Sequence, residues 1–156
     1  MEKKDLKPAG VFKYFEEICQ VPRPSKKEEK IIAYLKAFGA KHNLETKVDE
    51  AGNVLIKKPA TPGKENLQTV VLQSHIDMVC EKNNDVQHDF LTDPIETEID
   101  GEWLKAKGTT LGADNGIGVA TELAILADDS IEHGPLECLF TVAVSYTHLT
   151  LPTKLE

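Results

Sequence analysis

The chain has 156 residues, and 18 Lys+Arg against 26 Asp+Glu give a formal net charge of −8, so the expectation is one compact soluble domain with a sizeable core. With 40% hydrophobic and 28% charged residues, it is too apolar for an acidic disordered chain. A pI near 5.2 argues against a protein that neutralises nucleic-acid phosphates or coats anionic membranes.

No apolar run approaches the roughly 20 residues that span a bilayer, and Met1 to Gly10 lacks a signal peptide's apolar core, so a cytoplasmic location is expected. Cys19, Cys80 and Cys138 are far apart with no C-x-x-C pair. An odd, dispersed set fits neither a disulfide framework nor a cysteine-rich zinc site, and these residues read as reduced fillers.

In chain order, Val11, Phe12, Phe15 and Ile18 carry the spacing of a short amphipathic helix that stops before Pro22 and Pro24. Ser25 then precedes Glu28 at capping-box spacing, and Ile31, Ile32, Leu35 and Phe38 form an apolar stripe. That pattern predicts a helix from about Lys26 to about His42. Asn53 to Lys57 follows a Gly-Asn turn signal and predicts a strand paired with the segment around Lys47, ended by the Pro59 to Gly63 stretch. Gln68 to Ser74, with Val70, Val71 and Leu72 in succession, reads as a central strand buried on both faces, with His75 and Asp77 at its exit. Asp100-Gly101 marks a tight hairpin at a sheet edge or over a site mouth. Asn115 to Ala127 has a single charge, Glu122, and predicts a buried helix; Leu136 to Val142 predicts a further strand. Strands alternating with helices make the fold class α/β.

Residues two apart on an extended chain project to one side, so Asp77 can buttress an imidazole at His75, the kind of partner a zinc-bound histidine takes. Alone, H-x-D more often marks a turn or a surface hydrogen bond. The segment Gly108 to Gly118 is more informative, because its glycines permit unusual backbone angles where the carboxylate of Asp114 precedes a buried helix. Asp114 serves there either as a helix cap or as a functional carboxylate. A phosphate cradle is excluded, since Lys107-Gly108-Thr109 has the P-loop order wrong. His42, His88 and His133 occupy helix-end, loop and turn positions and are assigned no chemistry. Asp85, Asp89 and Asp93 lack EF-hand spacing and read as a solvated acidic loop.

Four separated stretches then stand in order: Ser74-His75-Ile76-Asp77-Met78-Val79, Asp100-Gly101-Glu102-Trp103, Gly108-Thr109-Thr110-Leu111-Gly112-Ala113-Asp114-Asn115-Gly116, and His133-Gly134-Pro135-Leu136-Glu137. Together they resemble the aminoacyl-histidine dipeptidases, also called cytosol non-specific or Xaa-His dipeptidases, within the larger family of dinuclear zinc aminoacylases, carboxypeptidases and deacetylases. The likeness runs from about Leu6 to Val142. It implies a layered α/β/α catalytic domain with a mostly parallel or mixed central sheet, here truncated. It also implies that His75 binds one zinc and that Asp77 is the catalytic-site carboxylate holding that imidazole. Asp114 would bridge two zincs, with an unusual peptide geometry at Asp114–Asn115. The implied reaction is hydrolysis of dipeptides, with a glutamate as general base.

The chain departs from that pattern after its last strand. The family places adjacent glutamates there, one as base and one as zinc ligand. This chain reads Ala143-Val144-Ser145-Tyr146-Thr147-His148-Leu149-Thr150, with no carboxylate between Glu137 and Glu156. Val144 to Leu149 resemble a translated sequencing adapter and Leu155-Glu156 a cloning scar, so the expected organisation is a peptidase fragment over 1–142 and a non-native tail over 143–156, the alternative being a long natural strand over Val142 to Leu151. The family's further ligands and its dimerising lid domain lie outside this sequence. The fragment is therefore expected to bind zinc weakly and to be inactive alone. The rival expectation is a non-catalytic binding module that uses an open sheet edge.

Overall fold

The structure is a computed structural model that describes residues 3–142; the predicted tail over 143–156 lies outside them. After a 3₁₀ turn at Lys3–Asp5, helix α1 (Ala9–Cys19) buries Tyr14, Phe15, Ile18 and Cys19 and ends before Pro22. Val11 and Phe12 of the predicted stripe are half-buried.

Helix α2 (Glu29–Lys41) starts later than predicted, and the capping box does not form. The Ser25 hydroxyl is drawn to Asp77 instead, at 2.6 Å, and Lys26 takes a φ of 67°. Glu28 turns back to accept the Lys26 N–H at 2.8 Å. Pro24 bridges to Met78. Tertiary partners have thus taken the residues that a local cap would have used.

Strands β1 (Glu45–Val48), β2 (Val54–Lys58), β3 (Val70–His75) and β6 (Leu136–Thr141) form one mixed sheet in the order β1-β2-β6-β3. β2 is antiparallel to β1 and to β6, whereas β3 and β6 run parallel. In the turn between β1 and β2, Asp49 Oδ1 accepts the N–H groups of Ala51 and Asn53, and Gly52 has a φ of 99°. Register puts Val54 beside Phe140 and Ile56 beside Cys138. These four are buried with the apolar faces of α1, α2 and α3 (Ala113–Ala127) in one cluster. Strand side chains alternate, so the opposite face carries Lys57 and Glu137, paired at 2.6 Å. The fold is α/β with a mixed sheet, as expected.

One expectation is corrected. β3 is not central among the described residues but outermost, and Val70 and Val71 are exposed. A continuous apolar run reads the same whether or not a further strand lies beside it. The Asp100-Gly101 hairpin forms between β4 (Thr97–Asp100) and β5 (Trp103–Ala106), as a separate two-stranded sheet rather than an edge of the main one. Lys105 pairs with Asp100 across its turn.

Helix α3 packs on α1 and β3. Buried Lys58 reaches its C-terminal end, donating to Asp128 O at 2.8 Å and Ile125 O at 3.3 Å, where unpaired carbonyls and the helix dipole favour a cation. Among the described residues the cysteines are free, with Cys19 and Cys138 buried and Cys80 half-buried. No described helix is long and apolar enough to cross a membrane.

Candidate metal centre

The parallel strand β3 ends at His75, and its backbone continues to Asp77. His75 Nδ1 lies 3.0 Å from Asp77 Oδ1, and Nε2 lies 3.0 Å from Asp114 Oδ1. The imidazole thus sits between two carboxylates brought from different elements. Asp77 is enclosed, with 14% side-chain exposure, while Asp114 is 97% exposed. Carboxylates only accept, so both contacts are hydrogen bonds only when both ring nitrogens carry hydrogen. A cation at Nε2 would stand in for the second hydrogen.

The two readings of Asp114 are separated by its neighbour. Gly112, with φ 70°, precedes α3, and the Asp114–Asn115 peptide is cis. Asn115 Oδ1 accepts the Gly118 N–H at 3.2 Å. Capping of the first turn therefore falls to Asn115, and the Asp114 carboxylate faces His75.

Beneath the three residues lies a group that the sequence reading passed over. Arg23 is 2% exposed. Its Nη2 donates to Gly112 O at 2.8 Å, and Nη1 lies 3.4 Å from Ile76 O and 3.5 Å from Asp77 O. Burial pulls its guanidinium below the usual arginine range, opposed by Cys19, Asp77 and Cys80. Gly112 and Gly116 have no room for a side chain, since a Cβ on either would come 2.6 or 2.7 Å from Arg23 Nη2. In the sequence Arg23 reads only as a loop residue and Ser25 as a helix cap. The visible signal was the Val21-Pro22-Arg23-Pro24-Ser25 stretch, where two prolines stiffen the backbone around a cation.

The donor chemistry fits a borderline cation such as zinc. Two ligands about 2.0–2.2 Å from a tetrahedral zinc lie roughly 3.4 Å apart, a few tenths more than the His75–Asp114 separation. The set is partial, because no group of three or more His, Cys, Asp or Glu poised for a metal occurs among the described residues. The other histidines stand apart from it: His42 lies tilted against Phe38, His88 meets Phe90 edge-on, and His133 Nδ1 contacts Gly134 O at 2.7 Å.

No family model matches the chain. The sequence is 52% identical over 141 residues to the cytosol non-specific dipeptidase of Escherichia coli (strain K12), covering 90% of this chain and 29% of that protein. The crystal structure of aminoacylhistidine dipeptidase from Vibrio alginolyticus matches with a TM-score of 0.89 at 52% identity, over 94% of this chain and 30% of that one. A tripeptidase from Staphylococcus aureus, 23% identical with a TM-score of 0.68 over 85% of this chain and 36% of its own, shares the fold. In sequence and fold the chain is therefore similar to one part of these peptidases. Its kin are the cytosol non-specific, or aminoacylhistidine, dipeptidases, and it spans about three tenths of their length.

Proposed function

We propose that the chain is the part of a two-zinc cytoplasmic dipeptidase that supplies His75, Asp77 and Asp114, acting in the whole protein on dipeptides of the Xaa-His type and others. The observation that carries this reading is the imidazole of His75 held between Asp77 Oδ1 and Asp114 Oδ1 at 3.0 Å on either side. His75, through Nε2, and Asp114 are the residues that would hold zinc. Asp77 acts through the imidazole, fixing its rotation and keeping the hydrogen on Nδ1 so that the Nε2 lone pair is presented. When bound, the zinc pair supplies Lewis acidity toward a peptide carbonyl and makes water acidic enough to attack it. The general base is a separate residue. With no carboxylate between Glu137 and Glu156, this chain does not provide one at the place where the resemblance puts it, and the fragment is inactive by itself.

Zinc titration calorimetry on the chain and on Asp114→Ala tests the reading. The expected result is weak zinc binding that the substitution abolishes, with no chelator-sensitive dipeptide hydrolysis by either form. Binding that survives Asp114→Ala, or an intact melting temperature in chelator and excess zinc alike, would favour a binding module that uses the open edge of β3.

A further inference from the structure

The segment Val21–Ser25 touches both halves of the centre, and each contact is made by a residue with no other evident task. Its backbone lies against the exit of β3: the Met78 N–H donates to Arg23 O at 3.0 Å and the Ser25 N–H to Met78 O at 3.3 Å. From this platform the Ser25 hydroxyl donates to Asp77 Oδ2 at 2.6 Å, with the Met78 carbonyl a longer alternative at 3.3 Å. Asp77 Oδ1 is the oxygen that meets His75. A carboxylate held at one oxygen by a hydroxyl and at the other by an imidazole has lost its free rotation. From the same platform Arg23 grips the Gly112 carbonyl at 2.8 Å, two residues before Asp114.

We propose that Ser25 and Arg23 are positioning residues for the metal centre: Ser25 locks the Asp77 carboxylate that orients His75, and Arg23 fixes the backbone that presents Asp114. The inference rests on the zinc reading of His75 and Asp114. Ser25 accounts for the missing cap on α2, because a hydroxyl committed to Asp77 is unavailable to the helix start. Arg23 accounts for two glycines whose added Cβ atoms would both strike its guanidinium. The Ser25 branch is a hydrogen bond to one oxygen of a carboxylate, so threonine can replace it and alanine cannot.

The chain and its Ser25→Ala and Ser25→Thr forms are compared in two measurements, with circular dichroism confirming that each is folded. The first, without metal and at one pH, is the ring-nitrogen NMR signature of His75. Ser25→Ala is expected to shift the Nδ1 resonance away from its hydrogen-bonded position, and Ser25→Thr to leave it in place. The second is zinc titration, where loss of such an outer contact typically costs about 10–100-fold in affinity; the expectation is about tenfold weaker binding for Ser25→Ala and recovery in Ser25→Thr. Unchanged Nδ1 resonance and unchanged zinc affinity in Ser25→Ala overturn the inference while leaving the zinc reading standing. If the parent chain shows no zinc binding at all, the zinc reading falls, and the ring signature alone still decides whether Ser25 orients His75 through Asp77. For Arg23, the conservative Arg23→Lys form should bind zinc more weakly than the parent, since an ammonium cannot span Gly112 O and the Ile76–Asp77 carbonyls as the guanidinium fork does. Parental affinity in a folded Arg23→Lys form overturns that half.

Discussion

Arg23 Nη2 and the carbonyl oxygen of Gly112, 89 positions apart in the chain, lie 2.8 Å from each other. The contact ties the segment between α1 and α2 to the loop that begins α3. It leaves no space at Gly112, where a Cβ would come 2.6 Å from that nitrogen and 2.8 Å from Met78 Sδ, at a φ of 70°. Gly112→Ala is therefore expected to destabilise the chain by about 2–4 kcal/mol, from the left-handed backbone and the overlap together. The urea midpoint should fall with little change in m. A parental midpoint would mean that the loop yields without cost.

Glu122 makes stability depend on pH. It is buried on α3, one of its oxygens has no hydrogen-bond partner, and burial pushes its carboxyl from 4.5 up to about 7, with Ser74 and Cys138 pulling the other way. Between those values the native chain holds a proton that the unfolded chain has released. Stability accordingly falls as pH rises through that window and levels off above it. The total loss is about 3 kcal/mol. Urea midpoints at about pH 5 and about pH 8 should differ in the parent and much less in Glu122→Gln, which cannot ionise. A slope that persists in the glutamine form belongs to other groups.

Gly39 reverses the usual helix preference. In an open helix interior alanine is better than glycine by up to about 1 kcal/mol. In α2 an added Cβ would overlap Thr46 Oγ1 on β1, so Gly39→Ala should cost about 1–2 kcal/mol. Thr46→Ala removes the obstacle, and in the double substitution the alanine at 39 should become favourable. Thermal melts of the four forms give the coupling; simple additivity would show that the two positions do not meet.

Trp103 is the only tryptophan, and at 72% exposure on the β4–β5 hairpin it reports poorly on folding. Its emission should be water-like and readily quenched by acrylamide in the native chain, and should change little across a urea transition that circular dichroism shows clearly. Emission sheltered from quencher would mean that another surface covers the hairpin.

Legibility followed the range of the forces involved. α1, the β1–β2 pair, the hairpin and β6 were readable because apolar period and turn residues act within a few positions. The start of α2 was misplaced because Ser25 satisfies a carboxylate 52 residues away instead of its own helix. β3 was assigned a central place because Val70 and Val71 carry no mark of which side faces solvent. His75, Asp77 and Asp114 were nominated from motif wording, and their mutual approach at 3.0 Å needs the fold. For Arg23 the two flanking prolines are the one local mark; its burial and its partners, which are backbone carbonyls that any sequence possesses, need the fold.

β2 and β3 never touch through their backbones; β6 lies between them, antiparallel to one and parallel to the other. It is also the last described element in the chain. During synthesis the β1–β2 ribbon and β3 therefore emerge with an empty slot between them, and the ladder that joins them waits for Leu136 to Thr141. A chain shortened before Leu136 should lack the backbone ladder that joins β2 to β3. Closure of this sheet is then expected late, with the last described strand acting as its keystone.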